Sequence, residues 1–405
     1  LDLMNVPAVH DLGYSGQGIT VLMLDAGFYK DHESIHPERI LAEYDFLNND
    51  GETQNESQED DKYGQHNHGT YTYTALGGYS PGQLIGPAFE CRYLLAKTES
   101  NAFENITEED NYVAGLEWGE DHGADIVSSS LGYLDWYTYE DLNGLTAVTT
   151  RVVLWAARLG MLVVTAAGNK RQDPEWGGYI IAPADADSVI TVGAVDEKGA
   201  LAGFSSHGPT SDGRTKPDVV AQGVGVRCGS SMGTDAYTSV SGTSLSTPLV
   251  TGCAALLLEA RPDWRPEDVR NALRATASQA DSPDNDYGWG IPDVLAAMYF
   301  NNGEPATRYV LEIEKIYPNP FRAGNSPQIV IKWTLATRSA VRLDIYNLLG
   351  QHIIHLYARP SKPAGSGMVS WSGVDAEGRY VPSGVYFVRM IAGQDMTVKR
   401  ITVQH

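Results

Sequence analysis

The sequence predicts an α/β domain, a parallel β-sheet flanked by helices, followed by a small all-β sandwich. Over the first 300 residues, short continuous apolar runs rich in β-branched side chains alternate with segments of helical periodicity. Runs of this length read as strands buried on both faces, and strands alternating with helices imply a parallel sheet. After Phe300 the segments become short and alternate apolar with polar residues, the pattern of a sandwich. The charge reverses at the same boundary. Residues 316–405 hold ten Lys and Arg against four Asp and Glu, whereas residues 1–315 hold nineteen against forty-seven.

The buried strands are expected at residues 19–24 (ITVLML), 93–96 (YLLA), 124–127 (ADIV), 162–166 (LVVTA) and 188–192 (SVITV). Helices are expected at 112–122 and 150–159, and at 246–258, where Pro248 falls near a helix start and is tolerated. Residues 301–305 (NNGEP) signal a loop, which gives a first domain over 1–300, a linker over 301–315 and a second domain over 316–405. In the second domain, strands are expected at 329–335, 341–346, 352–356, 368–371, 385–390 and 396–403.

The 405 residues exceed one ordinary domain, and 42% apolar residues suffice for a large core. No run of 18 apolar residues points to a membrane span, and no signal peptide opens the chain. Residues 1–6 already read as folded protein, so the chain is expected to be a processed product. A net charge of −22 argues against nucleic-acid partners and suits cationic substrates. The three cysteines, Cys91, Cys228 and Cys253, have no metal-ligand spacing. Cys253 lies in the apolar helix and is expected to be a buried, inert thiol.

Three segments carry chemistry. Residues 22–27 (LMLDAG) put Asp25 at the carboxyl end of a buried strand. His68-Gly69-Thr70 opens a helix, and residues 241–248 (SGTSLSTP) put Ser244 at a second helix start. A serine hydroxyl needs an adjacent base, an imidazole can take and return its proton, and a buried carboxylate fixes the imidazole tautomer. Asp, His, Ser is one of the chain orders in which unrelated triads of this kind occur. A fourth segment, 165–169 (TAAGN), ends a strand with Asn169, whose amide can donate to a tetrahedral oxyanion beside the Ser244 N–H. His66 is the rival base, but it lacks the following Gly-Thr and reads as a polar loop residue.

These four segments resemble the signature blocks of the subtilase family, as do Ser130-Leu131-Gly132, 204–209 (FSSHGP) and 216–219 (KPDV). The resemblance covers about residues 1–298. It implies a secreted or cell-surface serine endopeptidase with Asp25, His68 and Ser244 as triad and Asn169 as oxyanion donor. It further implies that Ser130, Leu131, Gly132, Ala166, Ala167 and Gly168 wall the primary specificity pocket, with Ile181 at its floor. Small or medium apolar residues are then expected at the cut. Glu99, Glu104, Glu108, Glu109 and Asp110 are expected to cluster near the cleft and favour basic residues upstream of it.

The chain also departs from the family. Ala26 stands where a hydroxyl residue is common, and Tyr71 where a second His is common. The 77–87 segment is short where many relatives wrap calcium, so no metal and no cofactor are expected. A sedolisin-type acid peptidase, with Glu as base and Asp as oxyanion donor, disagrees with His68 and Asn169. A dead protease disagrees with four filled positions.

The tail, with 317–321 (YPNPF) and the final VKRITVQH, resembles the carboxyl-terminal sorting domain of type IX secretion, which overlaps an immunoglobulin-like domain of hook-capping proteins. The implied partners are protein or peptide substrates, a removed amino-terminal propeptide acting as inhibitor and foldase, and outer-membrane secretion machinery.

Overall fold

The computed structural model describes residues 1–300, 311–322, 328–335, 339–362, 365–392 and 395–404. The chain forms two compact units, the first built from Leu1–Glu120 and Ala124–Asn302.

The first unit is organised by a seven-stranded parallel sheet. Its strands are β1 (Thr20–Asp25), β2 (Ile40–Asp45), β3 (Arg92–Lys97), β4 (Ile126–Ser129), β5 (Leu162–Ala166), β6 (Ile190–Val195) and β7 (Val219–Gln222), in the order β2-β3-β1-β4-β5-β6-β7. Every residue of β1 is buried. The strand order reverses at β1, and ligands of open α/β sheets bind at the carboxyl ends of strands where that happens. Asp25 is the last residue of β1.

Five longer helices flank the sheet: α1 (Asn67–Gly77), α2 (Thr107–Asp121), α3 (Val148–Arg158), α4 (Thr243–Ala260) and α5 (Pro266–Ala275). Helix α4 packs against α1 and strands β4 to β7. Its 18 residues are long and apolar enough to cross a bilayer, but 78% of that stretch is buried inside the unit. It is a core helix that is apolar all round because it is surrounded. A hairpin of β8 (Val226–Gly229) and β9 (Tyr237–Val240) leads into it.

Strands β2 and β7 and the hairpin were not expected from the sequence. Four of the six residues in β2 are half-buried and one is exposed, so its apolar pattern is mixed. Strand β4 runs two residues later than expected because it ends in the buried polar pair Ser128 and Ser129.

The second unit contains β10 (Leu311–Tyr317), β11 (Phe321–Arg322), β12 (Ile329–Leu335), β13 (Ser339–Asn347), β14 (His352–Lys362), β15 (Gly365–Trp371), β16 (Gly384–Ala392) and β17 (Asp395–Gln404). They form a three-stranded sheet, β10-β12-β15, and a five-stranded sheet, β11-β17-β16-β13-β14. Ile329, Ile331, Trp333 and Leu335 from the first sheet share one apolar cluster with Leu343, Ile345, Val388 and Met390 from the second. Strict alternation of buried and half-buried residues along β12 is what a sandwich strand requires. Of the expected linker 301–315, residues 301–310 lie outside the described residues. Its last five residues belong to strand β10, whose apolar Ile313 faces the core.

Candidate active site

Strand β1 delivers Asp25 fully buried at its carboxyl end, and α1 brings His68 to it. His68 Nδ1 lies 2.7 Å from Asp25 Oδ1, which also accepts the Ala26 N–H at 2.8 Å. Asp25 Oδ2 accepts the Thr72 hydroxyl at 2.9 Å. Burial alone depresses the His68 pKa, but the charge of Asp25 and the hydrogen bond to it outweigh burial and hold it above the ordinary imidazole value. His66 takes a different place. It is the residue preceding α1, its Nδ1 accepts the Asn55 N–H at 3.2 Å, and burial lowers its pKa.

Ser244 lies in the first turn of α4, where backbone N–H groups have no acceptor within the helix. Pro248 has no N–H to give to the carbonyl four residues back, which is that of Ser244. The Ser130 hydroxyl fills that role, donating to the Ser244 carbonyl at 2.8 Å. In return, Ser244 Oγ donates to the Ser130 carbonyl at 3.3 Å. The 130–132 segment is thereby docked against the start of α4.

Asn169 follows β5 and is exposed. Its Oδ1 accepts from the Thr243 N–H at 2.9 Å and the Thr243 hydroxyl at 3.1 Å. A backbone N–H can only donate, so this pairing fixes the amide flip. Oδ1 points to the helix start, and Nδ2 is left free to donate elsewhere.

Two segments converge on Ile181. A Cβ built on Gly132 meets Ile181 Cδ1 at 2.5 Å, and one built on Gly168 meets it at 3.1 Å. Gly168 has φ +103°, which also favours glycine. The Ile181 N–H bonds the Ala167 carbonyl at 3.3 Å. Gly132, Ala167 and Gly168 thus all approach Ile181.

The expected acidic cluster is only partly present. Glu109 is buried and accepts from Trp136 Nε1 at 2.7 Å and the Tyr137 hydroxyl at 2.8 Å, so its charge serves the interior. Asp110 is exposed. The carboxylates of Glu99, Glu104 and Glu108 do gather within 4.8 Å of one another, as do those of Asp45, Asp50 and Glu56. Both groups have the oxygen chemistry a hard cation takes. Protein donors already engage them. Glu99 bonds the Tyr133 hydroxyl, Glu108 accepts the Ser100 N–H at 2.9 Å, and Asp45 pairs with buried Lys97 at 2.7 Å. Burial raises the pKa of Glu99 well above the usual carboxylate range and also raises those of Glu104 and Glu108.

All three cysteines are free and buried. Burial pushes the Cys228 and Cys253 thiols up to about 12, so neither supplies a nucleophile.

A buried carboxylate oriented on an imidazole, with a serine at a neighbouring helix start on a parallel sheet, defines the subtilisin-like class of serine peptidase. Residues 16–290 match the subtilase family, and the chain belongs to it. It is 32% identical over 314 residues to serine protease AprX of Bacillus subtilis, a match covering 68% of this chain and 65% of that protein. It is 32% identical over 298 residues to subtilisin Savinase of Lederbergia lenta, covering 73% of this chain and 96% of that one. Among solved structures, the MycP3 protease from the type VII (ESX-3) secretion system matches with a TM-score of 0.60 and 21% identity, over 74% of this chain and 87% of that chain. The family match ends at residue 290.

Proposed function

We propose that this subtilisin-family peptidase is a secreted or cell-surface endopeptidase working through Asp25, His68 and Ser244. The observation that carries this reading is the 2.7 Å bond between His68 Nδ1 and buried Asp25, which leaves Nε2 as the base. In the reaction, Ser244 Oγ leaves the Ser130 carbonyl and gives its proton to His68 Nε2 as it attacks the scissile carbonyl. The oxyanion is met by Asn169 Nδ2 and the Ser244 N–H. His68 then protonates the leaving amine, and water releases the acyl group by the same steps in reverse.

The pocket walled by 130–132 and 166–168, with Ile181 between them, favours small or medium apolar residues at the cut. No metal and no cofactor enter these steps. A propeptide removed from the amino terminus is proposed as inhibitor and foldase, protein or peptides as substrates, and the all-β unit as the part that engages secretion machinery of the type IX kind.

The test uses the whole chain. Ser244→Ala should abolish both peptide hydrolysis and labelling by a fluorophosphonate while leaving the circular dichroism spectrum intact. Asn169→Ala should lower kcat by roughly 10²–10³ with little change in KM, the size known for an oxyanion-hole asparagine of a subtilisin. Hydrolysis by pure Ser244→Ala protein overturns the assignment.

A further inference from the structure

Thr72 lies one helical turn after His68 on α1, so both side chains leave the same face of the helix. That face meets Asp25. His68 Nδ1 engages Oδ1 at 2.7 Å, and Thr72 Oγ1 engages Oδ2 at 2.9 Å. Thr72 and Asp25 are each 1% exposed, so water does not substitute for either partner. Thr72 Oγ1 also lies 3.1 Å from the Gly69 carbonyl within its own helix. The carboxylate is the nearer acceptor and the charged one, and charge-assisted bonds are the stronger. Ala26 contributes only its backbone N–H, to the oxygen His68 already uses.

We infer that Thr72 is a positioning residue of the catalytic site, clamping the second oxygen of Asp25 so that the first stays in line with His68. The inference rests on the triad reading and extends it by one residue. A carboxylate held at one oxygen can turn about its terminal torsion, which is soft. Held at both oxygens by one helix, it moves only as that helix moves. The hydroxyl also disperses the carboxylate charge, which limits how tightly Asp25 holds the His68 proton.

The experiment compares Thr72→Val, Thr72→Ala and Thr72→Ser with the parent enzyme on one peptide substrate. Rates are taken per mole of natively folded protein, judged by near-ultraviolet circular dichroism. Thr72→Val and Thr72→Ala should each lower kcat roughly tenfold with KM unchanged, the size of a lost hydrogen bond to a charged group. The acid limb of kcat/KM should move to higher pH in both, because the undispersed carboxylate holds the imidazole proton more tightly. Thr72→Ser keeps the hydroxyl and should restore both kcat and the limb. Parent-like kcat and pH limb in the hydroxyl-free variants overturn the inference. So does a Thr72→Ser enzyme no better than Thr72→Ala, because the methyl group rather than the hydroxyl would then be what matters. If only one hydroxyl-free variant folds, that variant decides. Ser244→Ala as a parallel control separates this failure from failure of the triad, since a triad that stands leaves that variant dead whatever Thr72 does.

Discussion

His68 combines two opposed forces, and with His68 as the proposed base their balance sets the working pH. Removing an imidazole from water disfavours its charged form, while a carboxylate 2.7 Å away favours it. The carboxylate wins, so the pKa lies above the ordinary value, about 6.5. On the proposed mechanism catalysis needs the neutral ring, so kcat/KM should rise with pH through a midpoint above that value. A pH-rate profile centred near pH 4 would contradict a histidine base and revive an acid-peptidase mechanism. Asp25, His68, Ser244 and Asn169 could be singled out from the sequence because each stands in a recognisable block, Asp25 at the end of a buried strand and the others beside a glycine or at a helix start. Thr72 could not. Its partner lies 47 residues away, and a threonine in a run of alternating threonines and tyrosines (70–74, TYTYT) carries no signal of its own. Glu109 misled for a related reason. A sequence displays a charge but not its direction, and this one turns inward to Trp136 and Tyr137.

Among the elements, the loop carrying Ile181 and the two glycine-bearing segments beside it behave as one device. Gly132 and Gly168 lack side chains where Ile181 has one, so in the proposed pocket the branched side chain occupies the space a substrate side chain would otherwise enter. Ile181→Ala should enlarge that space by about three methyl(ene) groups and move the preferred residue at the cut from small aliphatics towards Leu, Met or Phe. Selectivity changes of roughly 10–200-fold per methylene-sized step bound the effect. A peptide-library profile unchanged by Ile181→Ala would remove Ile181 from the pocket. The central strands were legible because burial on both faces writes short continuous apolar runs, and the helices between them by their periodicity. Strand β2 was not, since at the sheet edge it mixes Leu41 and Glu43 with half-buried neighbours. Strand β7 has four residues and begins two residues after Pro217, in a segment whose polar Lys216 and Asp218 mask the apolar run.

Over the whole molecule, charge is the dominant global property. The first 315 residues carry forty-seven carboxylates against nineteen cations, and like charges repel more in the folded chain than in the expanded one. Salt screens that repulsion over about 8–10 Å at 0.1–0.15 M. The thermal midpoint should therefore climb as sodium chloride is raised from about 0.01 M to about 0.15 M. A midpoint that falls over that range would mean that ion pairs such as Lys30–Glu43 outweigh the net repulsion. The three thiols offer a last consequence. Cys91 lies under Gly16, Cys228 on the hairpin strand β8, and Cys253 deep in α4 with its sulfur 3.7 Å from that of Met4. An alkylating reagent reaches each one only when its own surroundings open. Their separate modification rates would act as three clocks inside one protein, timing how often the amino-terminal segment, the hairpin and the central helix come apart.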